Sequence, residues 1–290
     1  MVKKTTAKDG DHVVTMREVA KAAGVSIKTV SNVVNDYEFV SDATRAKVHK
    51  AIDELGYVIN VSARNLNRGR TGFITLAVPC LTAPYLAGLA NRVIDIARIY
   101  DYSVYVTTYA EGTSRGAASL LRNFNATVSD GMILSLSEME DLTPEDLSVD
   151  FPLVCVGARF THHKADHVTP DDVQSARLAT EYLLDRGVSR PAVVGSRTDF
   201  AQLSTLRDVT EGNAQLRMRG VFEACCDRNI ALATELMPNV GHDWSIGSGA
   251  RNMQRIIDSG VPFDGVIALN DQLAMGALST LAANGISVPD

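Results

Sequence analysis

The first stretch of the chain places apolar residues at helical spacing. Met16, Val19, Ala20 and Ala23 share one face at a period of 3.6, Thr15 stands before them as a capping residue, and Glu18 three positions later completes a capping box. Gly24 ends this helix, since glycine tolerates the left-handed conformation that closes one. Ser26 caps a second helix over 27–34 with Val30, Val33 and Val34 on its inner face. Ser41 caps a third, with Val48, Ala51, Ile52 and Leu55 as its stripe and Gly56 at its end. Two short helices joined by a glycine-containing turn predict a helix-turn-helix.

From residue 72 the pattern switches to short apolar runs alternating with amphipathic stretches. Strands are expected at 73–78, 103–108, 132–136, 154–156, 192–194 and 265–269, and helices at 86–100, 114–126, 171–186, 216–228, 247–259 and 272–283. Repeated βα units predict parallel sheets with ligands beyond the C-terminal strand ends. Two such modules fit, divided near Asp166. The expected fold class is an α-helical helix-turn-helix head followed by an α/β body of two parallel-sheet modules.

Composition narrows this reading. The 290 residues are 46% apolar, enough for a globular body, and no apolar run approaches the roughly 20 residues of a membrane helix. The start, MVKKTTAKDGDHVV, has no apolar core behind its lysines and does not read as a secretory signal, so a cytoplasmic location is expected. Cys80, Cys155, Cys225 and Cys226 form no CxxC pair and are expected to be buried, reduced thiols. Residues 1–70 carry 12 Lys+Arg against 8 Asp+Glu, while the remainder carries 16 against 26. A basic arm on an acidic body points to a polyanion partner for the arm alone.

The chemistry-bearing residues agree. The outer face of the second helix carries Lys28, Thr29 and Asn32, donors with no acidic neighbour to pair with. In a helix-turn-helix the N-terminal residues of that helix meet base edges in the major groove. Hydroxyls at helix starts, such as Thr15 and Ser26, suit phosphates. The body lacks GxxxxGK[ST], HExxH and a GxGxxG after a strand, so no enzyme, no cofactor and no metal site is expected. His162, His163 and His167 read as a solvated loop.

These motifs resemble the lac repressor / gal repressor family of bacterial transcription regulators. The marks are Val19-Ala20, Ala23-Gly24-Val25-Ser26, Thr29-Val30-Ser31, Asn35, Val40-Ser41, Thr44-Arg45 and Leu55-Gly56-Tyr57, followed by Asn60, Ala63-Arg64 and Leu66, from about Val14 to the last residue. The resemblance puts base-reading positions on Ile27, Lys28 and Asn32, and phosphate-holding positions on Ser26, Thr29 and Asn35. It makes 59–71 a hinge helix that wedges Leu66 into the minor groove, with Ala63 beside it and Arg64 on phosphate. It implies a homodimer on a palindromic operator and a body like type I periplasmic binding proteins, with effector contacts at Asn213, Arg217, Trp244 and Asn270. The 81–85 loop should present Tyr85 to the same cleft. Several sugar-binding relatives carry an acid just before Arg159, and this chain does not. The expected domains are 1–58 for the head, 59–71 for the hinge, 72–165 and 166–290 for the sensor modules. The resemblance also implies an incomplete C-terminal end after NGISVPD. It would leave the strand 265–269 with an unpaired edge and the helix face of Leu273, Leu278 and Leu281 short of partners. The leading expectation is allosteric repression controlled by a sugar. A corepressor-type regulator of purine-like ligands, and a sugar-binding module with an inactive DNA head, remain as alternatives.

Overall fold

The computed structural model describes residues 14–35, 37–57, 70–113, 115–197 and 203–289. It comprises two compact units, Met1–Gly72 and Phe73–Asp290.

In the first unit, α1 (Met16–Ala23), α2 (Ile27–Val34) and α3 (Asp42–Leu55) bury Val19, Val30, Val33 and Val48 in one small core. Gly24 adopts φ +65° after α1, the conformation a β-carbon would disfavour. The stripe of α3 ends one turn earlier than expected. Leu55 is the last helical residue and lies at the solvent edge, so Ile52 is the last residue of α3 to pack on the core, with Tyr57 joining it from beyond the helix.

The second unit holds two sheets. The first has the order β2-β1-β3-β4-β5, all parallel, with β1 at Phe73–Val78, β2 at Ser103–Thr108, β3 at Met132–Ser135, β4 at Leu153–Val156 and β5 at Asp166–Val168. Successive strand residues point to opposite faces. Leu76, Val78 and Ile133 therefore pack under α4 (Pro84–Ile99), while Ala77, Met132 and Leu134 face α5 (Ala117–Arg122) and the loop beyond β3. The second sheet pairs β6 (Pro191–Val194) with β7 (Gly265–Ala268) in parallel. Val193 and Ile267 face α6 (Asp172–Leu184) and α7 (Asn213–Asp227). Ala192, Val194, Val266 and Ala268 face α8 (Ile246–Asp258) and α9 (Asp271–Ala283).

Several expectations need correction. The division at Asp166 puts a whole strand into the wrong module, because 166–168 pairs with β4 at the edge of the first sheet. That strand has no apolar pattern, all three residues being exposed at a sheet edge, so periodicity could not reveal it. His167 therefore sits on β5 rather than in a loop, with its Nε2 against the Gly157 carbonyl. The helix expected over 114–126 shrinks to α5. The Asn123 amide turns back to the Ser119 carbonyl, and Asn125 accepts from the Thr127 N–H in a turn that competes with the helix. On α9, Leu273 and Leu281 are buried against α8 and the sheet, contrary to the expected loss of partners, and Leu278 alone of the three is exposed.

The cysteines also divide. Cys155 and Cys225 are buried, and burial pushes each thiol up to about 11. Cys80 and Cys226 are half-buried, against expectation, and the Thr82 hydroxyl holds the Cys80 thiol below its usual value. No helix among the described residues is long and apolar enough to cross a membrane.

Candidate functional site

The head presents its polar residues from α1 and α2. The Thr15 N–H and hydroxyl both donate to Glu18 Oε2 at 2.8 Å, which fixes the start of α1. Ser26 Oγ accepts the Thr29 N–H at 3.0 Å, and the two hydroxyls lie 2.8 Å apart. Ile27 and Lys28 are exposed on the first turn of α2, and Asn32 lies half-buried one turn on. These residues share one helix end because the valines at 30, 33 and 34 turn its other side inward. No acid stands in the first turn of α2. Its N-terminal N–H groups and Lys28 therefore form a donor-rich end matched to the phosphates and base edges of a duplex. Asn35 has a second duty. As the C-cap of α2 it donates from Nδ2 to the Ser31 carbonyl at 2.8 Å. Ala63, Arg64 and Leu66, the expected hinge contacts, lie outside the described residues.

In the second unit, four of the five expected effector residues converge at the strand ends of β6 and β7. Asp172, buried at the start of α6, accepts from Arg217 Nε at 2.7 Å and from Asn213 Nδ2 at 3.0 Å. Arg217 also donates to the Leu269 carbonyl at 2.6 Å, just beyond β7. Its guanidinium carbon lies 5.5 Å from the Trp244 ring centre, within cation–π range. Asn270 caps α9 by accepting the Leu273 N–H, and its amide donates to the Trp244 carbonyl at 3.2 Å. Trp244 packs on the cores of both sheet faces, so it is a half-buried wedge rather than a free loop residue. Beside it, the Ser245 hydroxyl and N–H hold the Asp243 carboxyl below the usual carboxylate range. Tyr85 is not part of this linked set. It stands 65% exposed in the first turn of α4, on the other module.

Sequence reasoning missed three residues here. Asp172 falls within the helix expected over 171–186, and nothing in its neighbours announces that Arg217, 45 positions away, folds onto it. Glu138 and Arg197 were missed as well. Glu138, in the loop after β3, accepts the Ala214 N–H at 3.0 Å and pairs with Arg197 at 2.9 Å. Arg197, in the loop after β6, is 7% exposed and also contacts Gly241 and His242. These bonds join the two modules, as do Gly212 N–H to the Ala158 carbonyl at 2.8 Å and Arg159 with Glu211 at 3.3 Å. Below that seam a cavity of about 110 Å³ opens between Leu136, Arg159, Phe160 and Glu211.

Comparison with known proteins bears on both sites. The family model for bacterial regulatory proteins of the lacI family matches residues 15–60, and that for a periplasmic binding protein-like domain matches 180–290. The NTD biosynthesis operon regulator NtdR of Bacillus subtilis is 31% identical over 282 residues, spanning 95% of this chain and 80% of its own. A ribose operon repressor of Halalkalibacterium halodurans is 29% identical over 276 residues, spanning 95% and 77%. Among solved structures, the lac repressor dimer bound to operator and an anti-inducer superimposes with a TM-score of 0.77 at 23% identity, over 96% of this chain and 80% of that one. That likeness is one of fold.

Proposed function

This chain belongs to the lacI family of bacterial regulatory proteins and is a DNA-binding transcription regulator, and from that premise we propose a homodimeric, cytoplasmic repressor whose operator affinity is set by a sugar. The observation that carries the sugar reading is the cluster of Arg217, Asn213 and Asn270 around Trp244, with Asp172 behind it. Directional donors beside an indole face suit a ring with hydroxyls on its edge and C–H groups on its flat side. A relative named as a ribose operon repressor supports the same class. The dimer reading rests on the open outer edge of strand β2 with exposed Tyr105 and Val106, and on exposed Ile96, Ile99 and Tyr100 at the end of α4. A second copy covering that patch removes both an open edge and an apolar surface.

In this reading Ile27, Lys28 and Asn32 read bases, Ser26, Thr29 and Thr15 hold the backbone, and Asn35 fixes the end of the reading helix. Leu66, with Ala63 and Arg64, supplies the minor-groove wedge. Effector binding between the modules biases their arrangement and so the spacing of two heads, a coupling typically worth 1–3 kcal/mol.

Two measurements test the proposal. Selection of bound duplexes from a random pool should return a palindrome. Asn32→Ala should relax one base pair per half-site, whereas Thr29→Ala should weaken all sequences about equally. An unchanged motif with Asn32→Ala removes that residue from base reading. Trp244 is the only tryptophan, so its emission reports the cleft directly. A sugar that alters operator affinity should also shift that emission, and Trp244→Ala should lose the response while still binding DNA. A ligand that changes operator affinity in both proteins and leaves the emission untouched places the effector elsewhere.

A further inference from the structure

The two modules meet through charge, and the charges are already matched. Arg217 is paired within its own module, by buried Asp172. Arg159 faces Glu211 at 3.3 Å and Asp141 at 3.8 Å. Arg197 has no acid from its own module among its described contacts, which are the Gly241 carbonyl and the His242 ring. Its counter-charge, Glu138, crosses the seam from the other module.

The same carboxylate does a second job. Helix α7 begins at Gly212, a cap residue with no side chain to offer, and carries no acid in its first turn. The positive end of a helix of this length attracts negative charge. Glu138 Oε1 fills that need by accepting the Ala214 N–H, while Oε2 takes Arg197. One carboxylate thus occupies both features that an anionic ligand would use, a nearly buried guanidinium and a helix N-terminus that its own cap residue leaves without a side-chain acceptor. The cavity beside the seam is acidic as well, with Glu140, Asp141 and Glu211 on its wall against Arg159 and His162.

We propose that Glu138 is the specificity-determining residue for effector charge: as a built-in occupant of the cleft's anion position, it closes the site to phosphate- and carboxylate-bearing ligands and leaves it to uncharged polyhydroxy compounds. This inference rests on the cleft being an effector site, as argued above. A phosphorylated or acidic sugar has to displace a carboxylate already held by two partners, or accept its repulsion at close range. Either route costs more than the loss of one ordinary hydrogen bond, since buried charges left unmatched are penalised heavily. A neutral sugar meets no such barrier and uses the donors around Trp244.

The test removes the occupant and asks whether an anion takes its place. Inorganic phosphate is titrated by calorimetry into the full chain at constant ionic strength, for wild type, Glu138→Ala and Glu138→Gln. Wild type is expected to show no saturable heat. Glu138→Ala should bind phosphate saturably, at least about tenfold more tightly than wild type. Glu138→Gln, which keeps the shape and loses the charge, should gain less but in the same direction. Adding Arg197→Gln to Glu138→Ala should abolish the gain. Saturable phosphate binding by wild type with the affinity of the alanine variant overturns the proposal, as does a folded alanine or glutamine variant with no gain. Operator binding is read separately. A chain that binds no operator sinks the repressor reading without touching the phosphate result, and the reverse holds too.

Discussion

Replacing Asp172 with alanine is expected to destabilise the second unit by about 3 kcal/mol, the lower end of the range for breaking a buried ion pair. Asp172 is 3% exposed and accepts from both Arg217 and Asn213. Without it the Arg217 guanidinium keeps the Leu269 carbonyl as a hydrogen-bond partner and the Trp244 ring beside it, but loses its counter-charge. The lower end applies because the Arg217 side chain retains 28% exposure and some hydration. For a unit of this size the loss should lower the melting temperature by about 6–12 °C. The decisive comparison is Asp172→Ala with Arg217→Met. Removing both charges should recover most of the loss, because an apolar replacement of the pair leaves nothing unmatched. A double variant as unstable as the single one would show that Asp172 acts through packing rather than through charge. Asp172→Ala should also blunt the Trp244 response to effector, since the carboxylate holds Arg217 beside the ring.

That pair marks the limit of what the sequence discloses. The head is legible because its signals are local: caps at Thr15, Ser26 and Ser41 each act on a residue three positions on, and the valine spacing sets the buried face. The βα alternation is legible for the same reason, with β1, β2 and α9 found within about a residue of their expected bounds. What stays hidden is whatever needs two distant segments. Residues 166–168 become a strand only because β4 offers them a ladder. Glu138 and Arg197 lie 59 positions apart in two loops, and neither stands in a recognisable motif. Trp244 reads as a polar-loop residue because its neighbours are His242, Asp243 and Ser245, while its actual partners come from both sheet faces. Arg217 and Asn270 were reached through family resemblance, not through any pattern in their own neighbourhood.

Glycines inside helices carry a similar hidden message, and one of them gives the second large effect. Gly276 sits in the middle of α9, where glycine costs roughly 1 kcal/mol relative to alanine in an isolated helix. A β-carbon there would lie 2.1 Å from the Ile246 carbonyl oxygen and 2.6 Å from the Ala250 nitrogen, both backbone atoms of α8. Gly249 faces back from α8 in the same way, where a β-carbon would lie 2.4 Å from the Leu273 carbonyl oxygen. The two helices therefore cross with their backbones in contact, and neither contact can be relieved by a side-chain rotation. Gly276→Ala must push α8 and α9 apart and loosen Met253, Ile256 and Leu273 between them. Overpacking of this kind costs about 3 kcal/mol, which outweighs the propensity gain and leaves a net loss of about 2 kcal/mol. Gly247 supplies the contrast on the same helix pair. Its β-carbon would meet the flexible end of Arg251 at 3.3 Å and the Ser245 hydroxyl at an ordinary 3.8 Å, so Gly247→Ala should be neutral or stabilising by less than about 1 kcal/mol. Denaturant unfolding of the two variants should therefore move the midpoint in opposite directions, or leave it unchanged for Gly247→Ala. A Gly276→Ala protein as stable as the parent would mean that the helices are not packed backbone to backbone.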